Sequence, residues 1–297
     1  MASTCSYLLD LLLLSYFLLF QSSAVDDRTK SYCQTFKEHT GYLSDKWSYY
    51  LYFYEQYLHN YRASPINYLE VGVQNGGSLQ IAKKYFHDDS NIYGIDIDRK
   101  VCELLTFEKG ITAFCFDAAN ADHVIEFVKS DFMRGVSFDV VIDDGSHIQA
   151  DMIKTFTLFF QLLRPGGVYI VEDTVCSYWS EYGGGLLKED TAVEYFKKLA
   201  DIFHLHFMQP EDVNVIHERF YPFIPHDLFM YYHQWLESVM FTESMVIIKK
   251  RTKFRKENEG MKRVVSGNVP RVFTSLSEET IKESRKNLQN LDDKIQL

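Results

Sequence analysis

From residue 66 onward, short apolar runs alternate along the chain with longer amphipathic stretches. The runs INYLEVGV (66–73), NIYGIDID (91–98), ITAFCFD (111–117), FDVVIDD (138–144) and GVYIVED (167–173) have the length and the β-branched and aromatic content of strands. Between and after them, segments 78–86, 150–163 and 191–207 carry apolar residues at helical spacing. Strands separated by helix-length segments imply βαβ units and a parallel sheet. The run SVMFTESMVIIKK (238–250) reads as a β-hairpin that finishes the sheet. The predicted fold class is therefore α/β: a doubly wound, mostly parallel sheet with helices on both faces and a terminal β-hairpin.

The flanks follow other patterns. SDKWSYYLYFYEQYLHNY (44–61) places Tyr50, Tyr54, Tyr57 and Tyr61 at helical spacing, which predicts either an amphipathic helix packed on the domain or a lid over a site, with Asp45 and Lys46 as its polar contacts. YLLDLLLLSYFLLF (7–20) is almost wholly apolar and is followed by small residues at Ser22 and Ala24, as in a secretory cleavage site. No Lys or Arg precedes it, Asp10 interrupts it, and it is shorter than the ~20 residues of a membrane span. A signal peptide or anchor, an N-terminal packing helix and a mis-assigned start all stay open. The expected divisions are a leader over 1–25, a helical lid segment over 26–64, the main domain over 65–250, and a basic and polar tail over 251–297 with a short helix after Ser275, where SLSE is a candidate capping box.

Composition narrows the function classes. A chain of 297 residues that is 46% hydrophobic and 15% aromatic can bury a large core. Its formal net charge of -10 argues against a nucleic-acid partner, because phosphate backbones are held by clustered Lys and Arg. Cys5, Cys33, Cys102, Cys115 and Cys176 form no CxxC pair and no disulfide-framework spacing, so most are read as packing residues.

Candidate chemistry gathers where the strands end, and ligands of open α/β sheets bind beyond those carboxyl ends. Gly72 and Gly76 stand where the first strand turns into a helix, a place where glycine lets backbone approach a ligand. The segment lacks GxGxxG and GK[ST], which lowers dinucleotides and ATP as ligands. Asp96 ends the next strand, suited to accept from a ribose, and Asp117 ends the third, suited to an amino group of adenine. Together they form an S-adenosylmethionine pattern, with Glu70, Gly72, Gly76, Ser78, Asp96, Asp117 and Asp143 as the cofactor-binding candidates. Asp143, Asp144, Glu172 and Asp173 end two strands expected to be neighbours, and four crowded carboxylates call for protons or a hard divalent cation such as Mg²⁺. Helix capping is the competing role for Asp144, Glu172 and Asp173. His147 lies within reach as a general base, against a backbone-bonded histidine at a helix start.

The stretches LEVGVQNGGSL, YGIDID, IDDGSH and IVEDTVCSYWSEYGGG together resemble the metal-dependent sugar O-methyltransferases of macrolide biosynthesis and the related group of rhamnosyl O-methyltransferases and cephalosporin hydroxylases. The similarity spans roughly residues 45–250. It implies the seven-stranded, Rossmann-like class I methyltransferase sheet, S-adenosylmethionine and Mg²⁺ as cofactors, Asp144, Glu172 and Asp173 as metal ligands, and His147 as the base that removes a hydroxyl proton. The implied partner is a small-molecule hydroxyl acceptor, a sugar or glycoside, with a homo-oligomer left open. The hydrophobic leader departs from this pattern: a signal peptide would make the protein secreted or endomembrane, an uncleaved anchor would hold it on a membrane, and otherwise it is expected in the cytoplasm. A hydroxylase of the same group and an inactive binding protein are the alternative functions.

Overall fold

Each expected apolar run forms a strand: β1 (Asn67–Val71), β2 (Asn91–Asp96), β3 (Ile111–Cys115), β4 (Phe138–Asp143) and β5 (Leu163–Val171), followed by β6 (Leu236–Thr242) and β7 (Met245–Lys250). The structure is a computed structural model that describes residues 29–106, 108–220, 224–255, 264, 266 and 277–289. The expected leader and the SLSE cap at Ser275 lie outside them. The seven strands form one sheet in the order β3-β2-β1-β4-β5-β7-β6. Strands β1 to β5 pair in parallel, whereas β7 is antiparallel to both β5 and β6. The connections run from β1 outward to β3 on one side and from β4 to β5 on the other. The point of reversal, between β1 and β4, is where such sheets form a crevice.

The helices are α1 (Tyr32–Lys37), α2 (Tyr50–Leu58), α3 (Gly77–Tyr85), α4 (Arg99–Leu105), α5 (Ala121–Lys129), α6 (Gln149–Phe159), α7 (Ala192–Ile202), α8 (Pro210–Glu218), α9 (His226–Trp235) and α10 (Glu278–Gln289). They cover both faces, and the period-2 alternation of the strands decides which residues face which layer. Tyr68, Ile92, Val140, Ile142, Val168, Ile170 and Ile247 face α1 to α4, burying Tyr50, Tyr54, Leu58, Leu79 and Tyr85. Their neighbours Leu69, Ile95, Val141, Tyr169, Val171 and Ile248 face α5 to α7 and α9. Fully burying one such Leu, Ile or Phe side chain contributes about 1.5–3 kcal/mol, so these two layers dominate the stability.

Two expectations change. The helix expected over 44–61 is α-helical only as α2, continued by a short turn of 3₁₀-helix, while residues 44–49 run non-helically over the carboxyl end of the sheet. The reason is tertiary: Lys46 and Trp47 bond to strand-end acids, and a regular helix would carry them away. The cysteines also depart from the packing role, since Cys102 on α4 and Cys115 at the end of β3 form a disulfide, whereas Cys33 and Cys176 are free. No helix among the described residues is long and apolar enough to cross a membrane.

Candidate active site

Register and pleat place the acids. Glu70 on β1 is paired with Ile142 on β4, and Ile142 with Ile170 on β5. Asp144 and Glu172 stand two residues farther along β4 and β5, so Glu70, Asp144 and Glu172 share the sheet face that meets the N-terminal segment. The Lys46 ammonium reaches into their midst, 2.6 Å from Asp144 Oδ2, 3.0 and 3.1 Å from the two Glu172 oxygens and 3.4 Å from Glu70 Oε1. The Tyr68 hydroxyl donates to the other Glu70 oxygen at 3.0 Å, and Tyr54 donates to Glu172. Ser78 also bonds Glu70. Asp143 has the opposite parity. It is buried on the other face, accepts from Tyr169 Oη at 3.0 Å, and burial pushes its carboxyl up to about 7.

Burial raises the carboxyl groups of Glu70, Asp144 and Glu172, and the Lys46 ammonium opposes this in each. For Lys46, burial alone would lower the pKa, but attraction to Glu172, Asp144 and Glu70 outweighs it and holds the ammonium well above its usual range. Lys46 is therefore charged, and a single positive charge faces three acids.

Asp173 is held from the same segment: Trp47 Nε1 donates to its Oδ1 at 3.0 Å and Tyr50 Oη at 2.8 Å, while its backbone N–H donates to Tyr50 Oη at 2.9 Å. His147 Nε2 lies 3.7 Å from Asp173 Oδ2 and 3.9 Å from Asp144 Oδ1. Neither acid caps a helix. The backbone N–H of Ile148 before α6 is taken by Ser146 Oγ at 3.2 Å, itself bonded to Asp151, and Asp173 makes no side-chain cap to the 3₁₀ turn that follows it. The capping alternative is thus displaced for Asp144 and Asp173. Glu172, turned toward Lys46 and Tyr54, is likewise no cap.

A cleft of about 740 Å³ opens over these groups, lined at one end by Asp96, Asp98 and Lys100 and at the other by Asp144, His147 and Asp173. Its volume lies within the range of small-molecule sites. Three residues on its wall, Gln74, His147 and Asp173, hold positive φ of 55°, 59° and 50° without being glycine. Such backbone costs of order 1–3 kcal/mol per residue and collects at functional sites. Gly72 closes the floor: at φ 82° a Cβ there would lie 2.0 Å from the carbonyl oxygen of Asp144. Gly76, left-handed at the start of α3, would place a Cβ 2.7 Å from Leu105. Asp96 ties the turn together, its Oδ2 accepting from Val73 N at 2.9 Å and Gln74 N at 3.0 Å.

The predicted residues thus divide. Gly72, Asp96, Asp144, His147, Glu172 and Asp173 line the cleft. Glu70, Ser78 and Asp143 lie buried beneath it. Asp117 accepts from Ala119 N at 2.9 Å and lines a separate cavity of about 470 Å³. The donor set suits a divalent cation: one ligand atom each from Asp144, His147 and Asp173 lie within 4.8 Å of one another, and the surplus carboxylate charge asks for a cation. Both Glu172 oxygens face Lys46. Lys46 is the residue whose depth sequence reading missed. The available signal was three acids of equal strand parity with no Lys or Arg at the carboxyl ends of their strands.

The model of a family described as methyltransferase domain matches residues 63–218. The chain is 33% identical over 171 residues to the 8-demethyl-8-alpha-L-rhamnosyl tetracenomycin-C 2'-O-methyltransferase of Streptomyces olivaceus, covering 54% of this chain and 43% of that protein. It is 35% identical over 185 residues to the demethylmacrocin O-methyltransferase of Streptomyces fradiae, covering 58% and 44%. The chain therefore spans less than half the length of these curated relatives. Among solved structures, the MycE methyltransferase of the mycinamycin biosynthetic pathway, in complex with Mg and SAH, superposes with a TM-score of 0.61 at 23% identity, covering 86% of this chain and 59% of that one. That likeness shows the fold.

Proposed function

The chain belongs to the methyltransferase-domain family, and from that premise we propose that it moves a methyl group from S-adenosylmethionine to a hydroxyl of a sugar or glycosylated small molecule, with Mg²⁺ at the acidic end of the cleft. The observation that carries this reading is the joining of two half-sites in one cleft: the glycine turn with Asp96, and Asp144 with His147 and Asp173. The O-methyltransferase names of the relatives support it.

The chain's own groups divide the work. Gly72 lets the β1 turn lie against the Asp144 backbone, which brings the two half-sites into one cleft, and Asp96 keeps acceptor capacity for ribose hydroxyls beyond the amides it already holds. Asp144 and Asp173 would hold the cation, and Glu172 would join them only by giving up Lys46. When bound, a divalent cation lowers the pKa of a nearby hydroxyl and helps to fix its position. His147, left out of the cation's ligand set although its ring nitrogen lies beside both acids, takes the hydroxyl proton. Trp47 and Tyr50 hold Asp173 in place, so the acceptor meets a preorganised site.

The test is methyl transfer from labelled S-adenosylmethionine to a panel of glycosides, with calorimetry of S-adenosylhomocysteine in parallel. Chelation should abolish turnover yet leave cofactor affinity largely intact. His147→Ala should lose roughly 10²- to 10⁴-fold in rate, as loss of a general base does, while keeping metal and cofactor. If well-folded protein does not bind S-adenosylhomocysteine, the methyltransferase reading is wrong; binding without turnover on any acceptor favours an inactive binding protein.

A further inference from the structure

The bridge between Cys102 and Cys115 joins two elements that are held very differently. Cys115 ends β3 and lies in register with Asp96 on β2, so its side of the bridge is fixed by the ladder of the sheet. Cys102 lies on α4, a helix of seven residues that buries one side chain, Leu105, against Gly76. A helix of that length does not hold itself in water, and one buried leucine returns less than ordering the helix costs. The same helix forms a wall of the acidic cleft at its Asp96 end, through Lys100, Val101 and Leu104. Its first turn is tied to the glycine turn by a short relay: Lys100 N donates to Asp98 Oδ1 and Asp98 N donates to Asp96 Oδ1, each at 2.9 Å. The Cys115 sulfur lies 3.4 Å from the carbonyl oxygen of Asp98, beside that relay. Cys115 is exposed and Cys102 partly buried, so a thiol in solution can reach the bridge.

We propose that this disulfide is a thiol-sensitive switch on the cofactor end of the cleft: intact, it pins α4 in the wall, and opened, it releases the helix and weakens binding of S-adenosylmethionine. The proposal rests on the methyltransferase reading for the identity of the ligand alone; the tethering of α4 stands apart from it. Opening requires a dithiol reductant. One thiolate of the reductant attacks the exposed Cys115 sulfur, the S–S bond breaks, and Cys102 leaves as a thiolate that takes up a proton. The second thiolate of the reductant then displaces Cys115 from the mixed disulfide. Two electrons and two protons thereby pass to the protein, and the reductant closes to its own disulfide. Once α4 is ordered in only a fraction of the molecules, the apparent affinity of a ligand that needs the ordered wall falls by that fraction.

The test compares the full chain oxidised and after reduction with dithiothreitol, with the state of the bridge confirmed by counting thiols in denaturant. Reduction should weaken S-adenosylhomocysteine binding, measured by calorimetry, by about tenfold or more. It should also speed amide exchange across α4 while β1 and β4 stay protected, and reoxidation should restore both readouts. A variant carrying Cys102→Ser and Cys115→Ser together should behave as the reduced wild type in either buffer, which sets aside Cys33 and Cys176. Should that variant not fold, reduction and reoxidation of the wild type decide. Equal affinity in the two states, α4 exchange that reduction does not change, or a response to dithiothreitol retained in the double variant overturns the proposal. So does a lower melting temperature on reduction with both readouts unmoved, which would make the bridge a stabiliser of the fold only. Failure of the methyltransferase reading looks different: S-adenosylhomocysteine binds in neither state, and faster α4 exchange on reduction still supports the tether.

Discussion

At the scale of single residues, the site turns on Lys46. Its side chain is 4% exposed and its charge is shared among Asp144, Glu172 and Glu70, all within 3.4 Å. Burying charge is unfavourable unless each partner is present, and removal of one member of such a group typically costs about 3–5 kcal/mol. Lys46→Met should therefore lower the melting temperature clearly. Because it leaves the three acids without a resident cation, added Mg²⁺ should raise the melting temperature of the variant more than that of the wild type. Thermal melts with and without Mg²⁺ check both signs, and an unchanged wild-type melting curve in the variant would remove Lys46 from the electrostatic account.

Elements act here through their ends. The first strand and the helix after it meet at Gly72 and Gly76, and the cleft exists because the backbone of the β1 turn can lie against that of the β4 turn. In Gly72→Ala, a methyl group aimed at the Asp144 carbonyl must displace one turn from the other. Left-handed strain adds to that overlap, and the sum should destabilise the protein by about 3 kcal/mol. S-adenosylhomocysteine affinity should fall as well, since the turn that shifts carries the Asp96 contacts; chemical denaturation and calorimetry of the same variant measure the two effects. The disulfide between Cys102 and Cys115 acts on the neighbouring element. It ties α4, whose Lys100, Val101 and Leu104 line the cleft, to the end of β3.

For the whole molecule, one part of the response to acid comes from a basic corner far in sequence from the rim acids. His233 on α9 has a buried Nε2 without a hydrogen-bond partner. Burial first, then Arg255, His206 and Arg251, push its imidazole down to about 4. In the unfolded chain it returns to about 6.5. Between these values the unfolded state binds a proton that the folded state refuses. The stability contribution is therefore full above about pH 6.5 and is lost as pH falls toward 4. The melting temperature of the wild type should fall by about 5 °C more than that of His233→Gln over this window, a difference read directly from melts at stepped pH.

The amino-acid order alone determined the parallel α/β sheet, because the five apolar runs and the helical segments between them leave strand and helix periods little room for confusion. It also brought Asp96, Asp144, His147 and Asp173 to a common rim, since in parallel strands every carboxyl end lies on one side. Strand parity is equally a sequence property, and once the register is known it separates Asp143 from Asp144. What only the tertiary structure decided lies across elements. Lys46 sits 98 residues from Asp144 and 126 from Glu172, and no local period records that its ammonium enters their midst. The tyrosines at helical spacing were legible as an amphipathic face, yet that Tyr50 and Tyr54 grip Asp173 and Glu172 was not. The pairing of Cys102 with Cys115 depends in the same way on how α4 and the end of β3 pack, and the opening of Asp117 onto a separate cavity on how α5 and α6 pack beside it. Local propensity sets elements, whereas contacts between distant segments are chosen by burial and charge balance in the assembled fold.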